Sequence, residues 1–247
     1  MRRSGRHRMG PKTCCALWRA GRNSEVVTCE PTSILDTAEL RWFVHGQLPQ
    51  RVAQWFTGGG AAGRLQERSD LYRLDRRDDV GVKQRFEKTL ELKQRCSVDG
   101  ALALQPNLCG PVEHWRRWSP AFGMVARHED EAWIRVYKAI IKRRFSPDGV
   151  ELPVVPSLPE GGGCDIEVTA LDVEGVHAWS LALSSFGAWQ NRTHNLTTAW
   201  QALVNAAGPL PIEAGIPAQA ACGYPAWLRQ LVADDVVGAD TSHTTAA

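Results

Sequence analysis

From Thr37 onward, hydrophobic and polar residues alternate with a period of two. In "TAELRWFVH", Glu39, Arg41 and Phe43 fall on one face and Leu40, Trp42 and Val44 on the other, the pattern of a β-strand. "RLQERSDLYRLD" repeats it, and Gly81 to Cys96 ("GVKQRFEKTLELKQRC") reads as two short strands about a tight turn. "VEHWRRWSP", "AWIRVYKAIIKRRF", "CDIEVTALD" and "VHAWSLALSSFG" complete about eight strands. Two stretches change the period to that of a helix. "LPQRVAQWF" puts Leu48, Val52, Trp55 and Phe56 at helical spacing, with Pro49 suited to a first turn and "TGGG" as the stop. "NLTTAWQALVNAAG" puts Leu196, Ala199, Trp200, Leu203 and Val204 on one face, with Asn195 as the expected cap and Gly208 as the stop. Between the strands, "SPDGVELPVVPSLPEGGG" has four prolines and predicts an irregular surface connection, and "CGYPAWLRQL" closes the ordered part. Many strands and few helices predict a mainly β chain forming a barrel or a strongly curved, largely antiparallel sheet.

The polar rows carry charge. One face per strand collects Arg41, Lys83, Arg85, Lys93, Arg95 and Lys138 as bases and Glu39, Glu91, Asp165 and Glu167 as acids. Two like charges ~4 Å apart at an effective dielectric near 20 repel by about 4 kcal/mol. These rows therefore form either a solvated exterior or a wet barrel interior that holds a polyanion, and never a dry core. Shared parity predicts that Glu39, Arg41, Lys83, Arg85, Glu91, Lys93, Lys138 and Glu167 point into one cavity. A bulge in any strand would exchange its two rows, bringing Arg135 into the place of Lys138.

Composition narrows the classes. The 247 residues, 43% apolar and 23% charged, suit one domain over 34–232. It would be preceded by a disordered Arg-rich arm over 1–33, with no acid before Glu25, and followed by a flexible tail over 233–247. A net charge of +2 gives no general case for nucleic acid or a membrane as partner, so any polyanion site must come from local arrangement. Seven cysteines without a C-x-x-C pair argue against a disulfide framework or a structural zinc, and a reducing cytoplasm is the simplest compartment. The histidines lack ligand spacing, "TGGGAAGR" lacks the Lys-Ser/Thr of a nucleotide-hydrolase phosphate loop, and no serine sits in G-x-S-x-G.

The charged strands carry a resemblance. "TAELRWFV" resembles the opening strand of the CYTH, or triphosphate tunnel metalloenzyme, superfamily, whose signature is Glu-x-Glu-x-Lys. Glu39 stands at the second glutamate, Arg41 at the lysine and Thr37 at the first glutamate. "RSDLYRLD", "GVKQR", "LELK" and "WIRVYK" are similar to later strands, and "CDIEVTAL" to a late strand whose acids help hold metal. The resemblance spans Thr37 to Gly187; "HWRRWS", "AWSLALSSFG" and "CGYPAWL" bring it nearer to a CYTH-like bacterial group than to the triphosphatases. It implies a mainly β (α+β) fold, an eight-stranded antiparallel tunnel-like barrel with a few flanking helices. Arg41, Lys83, Arg85, Lys93, Arg95 and Lys138 would bind a polyphosphorylated small molecule, and Glu39, Asp165 and Glu167 would hold Mg2+ or Mn2+. The implied activity is metal-dependent hydrolysis of an inorganic or small organic triphosphate. Because a threonine replaces the first metal glutamate, the alternative is a module that binds a polyphosphorylated ligand without hydrolysing it.

Overall fold

Eight antiparallel strands close into a barrel in the computed structural model, which describes residues 31–58, 65–85, 89–120, 132–212 and 216–240. They are β1 (Pro31–His45), β2 (Gln66–Arg73), β3 (Val80–Arg85), β4 (Thr89–Gln105), β5 (Leu108–Pro120), β6 (Trp133–Phe145), β8 (Gly163–Val173) and β9 (Val176–Phe186). The order around the wall is β2-β3-β4-β5-β1-β9-β8-β6, and pairing of β2 with β6 completes the ring. A ninth strand, β7 (Glu151–Leu152), attaches to the free end of β6. The fold is the mainly β barrel with flanking helices that the alternation and the resemblance imply.

The largest apolar core lies outside the barrel, which frees the interior to be polar. Leu40 and Trp42 of β1, Ile166 and Val168 of β8, and Leu181 and Leu183 of β9 point outward and are almost completely buried. Two helices cover them, α1 (Gln50–Thr57) with Val52 and Phe56, and α2 (Arg192–Ala207) with Leu196, Trp200 and Leu203. Each such side chain stabilises the fold by about 1.5–3 kcal/mol through removal from water. The outward row is therefore the hydrophobic one on this half of the wall, and the charged row must face inward.

A third helix, α3 (Tyr224–Asp240), plugs one end of the barrel. Its Trp227, Leu228 and Leu231 pack on Phe43, Tyr72, Val136 and Leu171, and the Phe43 and Trp227 rings are parallel with centroids 4.2 Å apart. The helix thus covers one end of the tunnel-like barrel.

Several boundaries differ from the expectation. The first strand begins at Pro31, and its first residues pair with β5, so they belong to the barrel and not to the arm. The last helix runs to Asp240, past the expected start of a tail at 233. Residues 192–194 lie in α2 ahead of Asn195, because a 3-10 turn at Trp189–Asn191 leads straight into the helix. Asn195 is buried in the first turn, where its amide donates to the Phe186 carbonyl (3.4 Å), while Gly208 ends the helix at φ +81° as expected. The rest of the arm (1–30), most of the glycine-rich turn (59–64) and residues 241–247 lie outside the described residues.

The proline-rich connection has a defined path. After β7 it leaves the sheet as a strap over 153–162 and returns through consecutive glycines. Gly162 (φ +86°) and Gly163 (φ +149°) adopt conformations that side chains disfavour, and a Cβ on Gly163 would collide with the Phe145 carbonyl oxygen. Among the described residues, no helix is long and apolar enough to cross a membrane.

Candidate functional site: the charged barrel cavity

The inward rows enclose a cavity of about 730 Å³ lined by nine basic and five acidic side chains among the described residues. Glu39, Arg41, Lys83, Arg85, Glu91, Lys93, Lys138, Asp165 and Glu167 all line it. Lys138 and not Arg135 faces inward, since β6 carries no register shift against β2 or β8. Arg95 does not join them. It keeps the register and parity of Lys93, opposite Trp115, but is drawn away from the cavity by Glu113 (2.6 Å) and Asp78 (3.2 Å).

Two walls of different balance face each other across the cavity. On β1, β9 and β8 three acids meet four cations, Lys142 being shared by Asp165 and Glu167. Lys93 Nζ donates to Glu39 (2.6 Å), and Arg41 Nη2 donates to Glu167 (2.7 Å) with Lys142 3.7 Å from the same carboxylate. Arg144 clasps Asp165 with two bonds, Nε to Oδ1 (2.6 Å) and Nη2 to Oδ2 (3.0 Å). Burial works against the charge on Glu167, but Arg41 and Lys142 outweigh it and hold the carboxyl well below the usual range. Burial likewise opposes the charge on Glu39, which Lys93 and the Thr37 hydroxyl nonetheless keep low.

On β2 to β6 the cations outnumber the acids. Glu91 is approached by Arg85 (2.8 Å), Lys83 (3.5 Å) and Arg117 (3.7 Å), three cations around one carboxylate. Asp70, fully buried, is shared by Lys138 (2.9 Å) and Arg68 (3.6 Å). These contacts are electrostatic: among the described residues the two Asp70 oxygens make no hydrogen bond, and the Nε–H groups of Arg68, Arg85 and Arg117 make none either. Burial, reinforced by Arg85 against the opposing pull of Glu91, pushes the Lys83 ammonium down to about 7. Burial also lowers Lys138 to about 8, although Asp70 opposes the shift, and Lys138 Nζ donates to the Tyr72 hydroxyl (2.6 Å) and sits 4.1 Å from the Tyr224 ring centre. Ammonium groups pressed down in this way are those that an anion would restore.

Thr37 lies on the inward row of β1 and donates its hydroxyl to Glu39 (2.6 Å). Glu39, Ser184 and Asp165 stand side by side across β1, β9 and β8, with Arg41, Ala182 and Glu167 in the next row. The three acids supply the oxygen donors that magnesium takes, so they fit in kind. Each is nevertheless already ion-paired, and among the described residues no three acidic, His or Cys side chains converge as a metal-binding group.

Arg68, Tyr72, Arg117, Lys142, Arg144 and Tyr224 also line the cavity and were not among the candidates. Parity could have found the first five, because each stands an even number of positions from an inward residue of its own strand. Tyr224 carries no such signal, since it arrives with α3. No family model matches the chain, and no curated protein matches it.

Proposed function

We propose that the barrel binds a linear polyphosphate, and that the chain is a member of the triphosphate tunnel type that the strand motifs resemble. The observation that carries this reading is the trio of Lys83, Arg85 and Arg117 around the single carboxylate of Glu91. A half-buried excess of cations, with the Nε–H groups of Arg85 and Arg117 unused, has no apolar use, and a chain of phosphates supplies several anionic acceptors at once. Arg68 and Lys138 extend the same wall inward.

Metal-dependent hydrolysis of the bound triphosphate is the second reading, favoured by the three carboxylates on the opposite wall. Glu39, Glu167 and Asp165 would hold Mg2+ or Mn2+, which when bound would neutralise charge on a transferring phosphoryl group. The bases of the facing wall would fix the phosphate chain in place, and Arg41 would set the position of Glu167. Thr37 leaves one carboxylate fewer at the first strand, which favours binding over turnover.

Calorimetric titration of inorganic triphosphate with and without magnesium, followed by phosphate release on the same sample, tests both readings. Binding that weakens with added salt is expected. Failure to bind under either condition would sink the proposal, whereas binding without release would leave the non-catalytic module.

A further inference from the structure

The open end of the cavity differs in chemistry from its walls. Opposite the α3 plug the strap crosses the mouth, where Val154, Val155, Pro156 and Leu158 line the cavity beside Leu35 and Phe186. Val155 and Leu158 are 49% and 38% exposed, apolar side chains at the opening with little to cover them among the described residues. Their position is fixed from within the cavity. Arg144, while bound to Asp165, donates from Nη1 to the carbonyls of Val155 (3.0 Å) and Ser157 (2.8 Å). The strap is therefore anchored by the same charge network that lines the interior.

We propose that the cavity takes a polyphosphate monoester of an aliphatic alcohol, with its phosphates among Lys83, Arg85 and Arg117 and its hydrocarbon against the strap. The inference rests on the polyphosphate reading above and names the class of its ligand. Two observations support it beyond the bare apolar rim. The rim is continuous with the cationic cavity, so whatever covers it enters attached to the anion, and about 730 Å³ is within the range that holds a ligand of drug size. The strap side chains that line the cavity, Val154, Val155, Pro156 and Leu158, are also apolar and offer no hydrogen bond to the edge of a nucleobase, which favours hydrocarbon over a nucleoside.

The test compares n-octyl triphosphate, inorganic triphosphate and ATP by calorimetry, on the parent chain and on Val155→Ser and Leu158→Ser. Burial of the octyl chain is expected to make n-octyl triphosphate bind about tenfold or more tightly than inorganic triphosphate. In each variant that ratio should fall toward one, and ATP should gain nothing over inorganic triphosphate. Equal affinity of the parent for the octyl and inorganic compounds, a preference for ATP, or an octyl preference unmoved in both variants would overturn the inference and leave the polyphosphate reading standing. Absence of binding by all three compounds would overturn both.

Discussion

Thr37 donates a 2.6 Å hydrogen bond to Glu39, two residues along the same inward row of β1. The hydroxyl shares in holding the Glu39 carboxyl low, yet brings no charge of its own to the cavity. A glutamate there would put two carboxylates side by side next to Ser184 and Asp165. Thr37→Glu is expected to raise magnesium-dependent phosphate release from triphosphate by about tenfold or more, through added electrostatic stabilisation of the transferring group. Glu39→Gln and Glu167→Gln should abolish whatever release the parent has. Release indifferent to magnesium and to both glutamine changes would exclude a metal-dependent mechanism.

Glu91 restrains the cations around it. Removing its charge in Glu91→Gln leaves Lys83, Arg85 and Arg117 to repel one another. Loss of one partner from a buried ion pair costs about 3–5 kcal/mol, and the partial exposure of Arg85 and Arg117 places this case below that range. The variant should melt lower than the parent, bind triphosphate more tightly, and regain more Tm on adding it. Thermal melts with and without 1 equivalent to large excess of triphosphate would show the opposite ordering if Glu91 is not the counterion of this wall.

Arg85→Ala and Arg117→Ala should each weaken triphosphate binding by about 1.5–3 kcal/mol, the range for a hydrogen bond to a charged group. Both side chains are partly exposed, so the fold should survive with little change in Tm. Parent-like affinity in both variants would place the phosphate chain elsewhere.

The two depressed lysines make binding depend on pH. An anion favours the protonated ammonium, so affinity should fall as pH rises through about 7 for Lys83 and about 8 for Lys138, with proton uptake on binding between those values and above. Stability of the unbound protein moves the other way. Between about 7 and 10.5 the unfolded chain holds the Lys83 proton and the folded chain does not, so this group raises stability as pH rises across that window. Calorimetry in buffers of different ionisation heat reads the uptake directly, and Lys83→Met should remove the lower step.

Gly163 is confined by the Phe145 carbonyl and by a φ of +149°. Gly163→Ala should cost about 1–3 kcal/mol of strain and more from the collision, lowering Tm by several degrees. The displaced strap should also loosen the carbonyls that Arg144 holds. An unchanged Tm would show that the return of the strap can shift without cost.

Periodicity alone determined the strands, because alternation is a local property of a pleated chain and survives in the sequence whatever the neighbours are. It also put Lys83 with Arg85, and Glu91 with Lys93, on one row of their strands, and Arg41, Glu39 and Glu167 on rows that could share an interior. What it could not determine was which row faces inward, since a polar row looks the same lining a cavity or facing solvent. Tertiary structure decided that by packing α1 and α2 on the apolar row of β1, β8 and β9, leaving the charged row nowhere to go but inside. The balance of the site was likewise beyond local reading. Arg95 was drawn from the cavity by Glu113 and Asp78, Arg144 joined Asp165 to the strap, and Tyr224 came from a helix that plugs the barrel, each the result of contacts that the local pattern does not carry.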